Sequence, residues 1–147
     1  MSSLEKNIIL GISLIITLFA WGFVGVNYSN LPEEVVAHMD LQGNVNRYDS
    51  KIILWFLLSI FTILMVLFFR LTKNVNQKQY SGNNVAKSVF VWLVAYLSIV
   101  LFGLCKLIIN KTLIPEYNTN TFFIIFLGLT FLLVLYSSTT SIKNSRK

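Results

Sequence analysis

The segment 31–51, LPEEVVAHMDLQGNVNRYDSK, collects the residues of this chain that could do chemistry. It holds Glu33, Glu34, Asp40 and Asp49, four of the six acidic residues, together with His38, the single histidine. His38 has Glu34 four residues before it and Asp40 two after. Such a set suggests three roles: a metal ligand, a proton-responsive contact near neutral pH, or a ring packed and hydrogen-bonded within its own loop. One histidine with two acids is a thin set for zinc, whose sites mostly use more His or Cys. No metal or other cofactor is therefore expected, and His38, Glu34 and Asp40 are the nearest approach to a metal set. No nucleophile–base arrangement is visible, and a Ser or Thr inside an apolar run usually serves packing or bonds back to its own helix. The chain does not read as an enzyme.

Whatever this segment does, the rest of the chain decides where it does it. Hydrophobic residues make up 55% of the 147 positions, and they are clustered. The runs 8–26, 52–69, 88–105 and 121–142 contain no charge. Each is about 18 residues or longer, enough to cross a hydrocarbon core of roughly 30 Å as a helix. The expected fold is all-α: one polytopic membrane domain over 1–147, with spans at about 8–27, 52–70, 88–109 and 121–140. An amphipathic outer segment, 28–51, joins the first two spans. The first run is longer than the apolar core of a signal peptide, and no small-x-small cleavage pattern follows it, so it is expected to be retained. The lone Cys105 lies deep in the third run and reads as a packing residue.

A net charge of +6 raises nucleic acid as a partner, but the placement of the charge argues for the bilayer instead. Lys6, Arg70, Lys73, Lys78, Lys87, Lys143, Arg146 and Lys147 flank one set of span ends. Arg47, Lys51, Lys106 and Lys111 flank the other. Eight against four places both termini and the middle loop in the cytoplasm, and segment 31–51 outside. Trp21, Tyr28 and Trp55 fall at the outer ends of their spans, where amphipathic rings are favoured. Lys106 is the only charge in the stretch 88–109, and its stem is long enough to snorkel to the head groups. None of the apolar runs contains a carboxylate, which weakens an ion-coupled transporter or channel. No GxxxG pair occurs, so helix packing is expected to rest on Gly11, Gly22, Gly25, Gly103 and Gly128. The stretch 72–87, rich in Asn, Gln, Ser and Lys, reads as a flexible connector.

Within 31–51, Pro32 is suited to a first helical position after a turn or cap at Asn30. Glu33 and Glu34 would follow in the first turn, and Glu34 and His38 would share a helix face. Gly43 suits a helix stop or a turn with positive φ. Asn44, Asn46 and Asp49 suit turns, and Asp49 or Ser50 could cap the second span. The expectation is one or two helical turns, then a Gly/Asn turn, lying along the membrane surface.

The spacing Leu31-Pro32, Val35, His38, Gly43, Lys51 resembles that of the SdpI-like membrane proteins, LPxx(I/V)PxHxxxxGxxDxxxxK. Asp40 stands where that family often has Asn or Asp, and Tyr48 fits its aromatic before the lysine. Val36 replaces the second proline, Met39 an aromatic, and Asn46 the acid; Asp49 stands where a small residue is common. The resemblance implies a bacterial cytoplasmic-membrane protein. One branch of the family protects its bearer against a secreted peptide toxin. As a binding or immunity factor, the chain would engage a toxin peptide or a partner membrane protein through its outer segment, with Glu33 and with Leu31, Pro32, Glu34, His38, Asp40, Gly43, Arg47 and Lys51 as the candidate contact residues. The residues alone leave a second class open, a structural or accessory subunit of a larger membrane complex, and a less favoured third, a small transporter or channel.

Overall fold

A computed structural model of the chain describes residues 1–40, 42–74 and 83–145. The elements run α1 (Ser3–Tyr28), β1 (Glu34–Met39), β2 (Val45–Ser50), α2 (Ile53–Asn74), α3 (Asn83–Leu113) and α4 (Asn120–Ser145). All four helices are long and apolar enough to cross a membrane. In hydrocarbon every backbone N–H and C=O must be satisfied within the segment, which leaves the helix as the form for such runs.

The helix boundaries are set by local chemistry. At the start of α1, Ser2 and Glu5 form a reciprocal capping box, with Glu5 N donating to Ser2 Oγ and Ser2 N to Glu5 Oε2. Its end precedes Pro32: Asn30 N and Leu31 N donate to the carbonyls of Asn27 and Tyr28, and the chain leaves the helix. Ser50 Oγ accepts from Ile52 N just ahead of α2. Pro115 follows the end of α3, and Asn118 Oδ1 accepts from Asn120 N at the start of α4.

α3 is the central post. It packs against α1, α2, α4 and β1, whereas α4 packs chiefly against α3. Correspondingly, 39% of the most apolar window of α3 is buried and none of that of α4. The core joins Ala20 and Val24 of α1, Leu54, Leu58 and Met65 of α2, and Val94, Leu101, Cys105 and Ile109 of α3. Leu31 and Val35 close it at one end. The outward faces carry exposed Ile15, Leu18 and Phe19, Phe56 and Ile63, and Ile124, Phe131 and Leu132, as expected where lipid is the solvent.

Helix contact uses small polar residues more than the glycines the sequence suggested. Ser13, Thr17, Ala20 and Val24 are the buried residues of α1, and their spacing puts them on one face. Thr17 Oγ1 bonds back to Ser13 O at 2.8 Å and lies 3.5 Å from Met65 Sδ of α2. Trp21 Nε1 donates to Thr62 Oγ1 at 3.2 Å. Small residues let membrane helices approach, and hydroxyls join them. Gly11, Gly22, Gly25 and Gly128, by contrast, have nothing within 4 Å of where a Cβ would lie, so nothing packs closely against them there. Only Gly103 fits the expectation: a Cβ there would stand 2.7 Å from Cε2 of Phe122 in α4.

Two further expectations change. The connector read over 72–87 is shorter, because 72–74 extend α2 and 83–87 begin α3. Its remainder, 75–82, lies outside the described residues. The segment 31–51 is not helical. It forms an antiparallel β-hairpin, with Glu34 opposite Ser50, Val35 opposite Asp49, Val36 opposite Tyr48, His38 opposite Arg47 and Met39 opposite Val45. β-Branched Val35 and Val36 favour the strand, and a short loop containing Gly43 closes it.

Candidate functional site

The hairpin sits at the end of the bundle where α1 leads to α2 and α3 to α4, and its fixings can be followed atom by atom. At the turn, Asp40 N donates to Asn44 O and Gly43 N to Asp40 O, both at 3.0 Å. The Asp40 carboxylate accepts from Asn44 N through Oδ1 and from Asn44 Nδ2 through Oδ2, both at 2.8 Å. The Asn44 side-chain amide, followed by its backbone N–H, holds the Asp40 carboxyl below the usual carboxylate range. Gly43 has φ of 86°, in the left-handed region that glycine enters without strain. A Cβ there would also meet Thr119 Oγ1 at 2.7 Å, so the turn is pressed against the α3–α4 loop.

Along β1, register shifts on either side of His38 skip Ala37 and then Asn46 of β2. These irregularities explain the burial pattern. Val35 and Val36 are both buried, yet His38, two residues beyond Val36, is exposed. Val36 N donates to Thr112 Oγ1 at 3.0 Å, while that hydroxyl donates to Ile108 O. The anchor therefore joins the outer edge of β1 to the last turn of α3.

At the base, Lys51 acts as a clasp. Its Nζ is 3.1 Å from Glu33 Oε1, 3.4 Å from Leu31 O and 5.1 Å from the centre of the Tyr28 ring. Lys51 N also donates to Glu33 O. Beneath it, the Trp55 ring lies 5.2 Å from Tyr28 and 5.8 Å from Trp21. These rings tie the end of α1 to the start of α2.

The candidate residues thus separate into two groups. Leu31 packs into the core, Gly43 and Asp40 make the turn, and Lys51 makes the clasp. Glu34, His38 and Arg47 face solvent, with Pro32 also exposed beside the base. Arg47 pairs with Asp49 at 3.2 Å, and both are largely exposed, so the pair is worth little on its own. The Glu34–His38 pairing expected of one helix turn does not form. On a strand, residues four apart are separated by roughly 13 Å. Among the described residues, no three His, Cys, Asp or Glu side chains gather as a metal set.

Thr112 and Thr119 were not legible as partners of the hairpin. They lie far along the chain in unremarkable contexts, and no local pattern links them to Val36 or Gly43. The hairpin itself had a signal: β-branched or aromatic residues on both sides of a short loop carrying Asp40, Gly43 and Asn44.

Chemically, the arrangement presents an exposed strand carrying polar and charged side chains. β2 has β1 as its only strand neighbour among the described residues, and five of its six residues are exposed. Four apolar helices capped at one end by an anchored hairpin define a multi-pass integral membrane protein. A family model described as a domain of unknown function, DUF1648, matches residues 8–63, which take in most of α1, the hairpin and the first half of α2. No curated protein and no solved structure matches the chain.

Proposed function

We propose that this protein is a binding factor of the bacterial cytoplasmic membrane that engages a peptide or protein partner through its hairpin, and that it does no catalysis. The observation that carries this reading is the combination of an anchored β1 with an exposed edge on β2 that has no further strand partner among the described residues. An edge held still by its scaffold loses little freedom when an extended segment adds to it as a third strand. Glu34, Arg47 and Asp49 supply the charges, and His38 a hydrogen-bonding ring, that would select the segment. The resemblance to SdpI-like proteins gives this reading its specific form, protection against a secreted peptide toxin. The eight-to-four distribution of Lys and Arg supports cytoplasmic termini and an outward hairpin.

The test is a pull-down from native membranes in mild detergent, comparing wild type with His38→Ala and Arg47→Glu, paired with a toxin-resistance assay in a sensitive host. Both substitutions lie on the exposed face and should leave abundance unchanged. A partner or resistance lost in Arg47→Glu supports the reading. A stoichiometric partner held equally by all three proteins overturns hairpin docking.

One observation favours the accessory-subunit reading: α4 has no buried part in its span window and packs chiefly against α3. A partner retained by the hairpin variants but lost in Phe131→Ala would favour it.

A further inference from the structure

Between α3 and α4 runs a groove made of two adjoining cavities, one of about 220 Å³ and one of about 300 Å³. They share Ile99 and Leu129. The smaller lies towards the hairpin end, with Lys106 at its mouth and Gly103 in its wall. The larger continues to Trp92 and Tyr136. The missing side chain at Gly103 helps make this space, and the Phe122 ring leans into it. Hydroxyl contact between Tyr96 and Thr130, at 2.9 Å, holds the helices together alongside.

We propose that this groove binds an anionic phospholipid, with one acyl chain along α3 and α4 and the head-group phosphate at Lys106. This goes beyond the partner reading and does not depend on it. The groove follows the membrane-crossing stretch of α3, where an open cleft is filled by the surrounding lipid. From Lys106 to Trp92 is fourteen residues, or about 21 Å of helix. That is close to the length of an extended fatty-acyl chain. The lining is almost wholly apolar except at the mouth, and no Asp or Glu contributes to either cavity.

Charge complementarity selects the head group. Lys106 is exposed, and among the described residues no hydrogen bond or ion pair engages its ammonium. Lys111, one turn nearer the hairpin, is already committed: its Nζ donates to Pro115 O at 2.6 Å and lies 3.5 Å from Tyr117 O. Lys106 is therefore a cation placed at a groove mouth about 9 Å from Thr112 along the helix, near the end of the span, with a stem long enough to carry the ammonium towards the head groups. Simple snorkelling would orient this side chain without selecting a lipid, and the two differ in outcome.

The experiment is native mass spectrometry of the full chain in mild detergent, with phosphatidylglycerol and phosphatidylcholine of matched acyl chains added in equal amounts. Wild type should retain phosphatidylglycerol roughly fivefold over phosphatidylcholine, the preference expected of one basic residue near the head groups. Lys106→Gln should abolish the preference and Lys106→Arg should keep it. Ile99→Trp, which fills the waist of the groove, should lower retention of both lipids. Equal retention of the two lipids by wild type, or an undiminished preference in Lys106→Gln, overturns the proposal. So does unchanged retention in Ile99→Trp, because the acyl chain would then lie elsewhere.

Discussion

Gly43 shows how one residue can report on a distant one. Its positive φ alone makes a side chain unwelcome, and the nearby Thr119 hydroxyl adds a second obstacle. Gly43→Ala should destabilise the hairpin by about 1–2 kcal/mol through backbone strain and crowding. The two contributions are separable by a double-mutant cycle. In a Thr119→Ala background the crowding disappears and the backbone strain remains, so Gly43→Ala should cost less there than in wild type. Thermal unfolding of the detergent-solubilised protein would measure the difference; equal costs would mean that Thr119 does not press on the turn. Lys51 follows a related logic. Its ion pair with Glu33 involves a partner that is almost fully exposed and contributes little, so the Leu31 carbonyl and the Tyr28 face matter more.

Among the elements, the four helices were legible, whereas the hairpin's own signal was outweighed by a competing helix pattern. An uncharged run such as 52–69 leaves one solution in hydrocarbon, so α2 follows from composition. The segment 31–51 is polar enough for several solutions. Pro32 followed by two glutamates has the composition of a helix start, and Glu34 and His38 have helical spacing. The strand wins because its partners lie elsewhere: β2 supplies one edge, and Thr112 accepts the Val36 N–H at the other. Of the candidate residues, Gly43 was legible because positive φ is a local demand. The inward role of Leu31 was not, because it depends on where α3 stands. Thr112→Val keeps the shape but removes the acceptor, leaving the Val36 amide unpaired at a cost of about 1–3 kcal/mol. We expect faster hydrogen exchange and proteolysis within the hairpin, with the helices still protected, and restoration in Thr112→Ser. Protection unchanged in Thr112→Val would show that this bond does not anchor β1.

For the whole molecule, the organising fact is that α3 supports every other layer. α1 and α2 share a core with it, the hairpin is fixed to its last turn, and α4 rests on its remaining face. Loosening should therefore be uneven. Tyr96→Phe removes the hydroxyl bond to Thr130 and should weaken the hold on α4 by about 0.6 kcal/mol, typical of bonds between membrane helices. Thr17→Leu, which crowds Met65, should cost about 1–3 kcal/mol and loosen α1 against α2. Site-specific proteolysis or exchange in nanodiscs would separate the two: the first variant should expose α4 alone, and the second should spare it. A uniform response to both would mean that the four helices open as one unit.

The rings beneath Lys51 also give the protein an optical gauge. Of its three tryptophans, Trp21 and Trp55 stand together under the hairpin with Tyr28, while Trp92 lies about 30 Å along α3 from Thr112. Fluorescence emission from a variant carrying Trp92→Phe would come entirely from the hairpin end. A ligand settling on the hairpin would shift that emission without any label. A ligand lodged only between α3 and α4 would be seen instead through Trp92, in a variant where Trp21 and Trp55 are the residues replaced by phenylalanine.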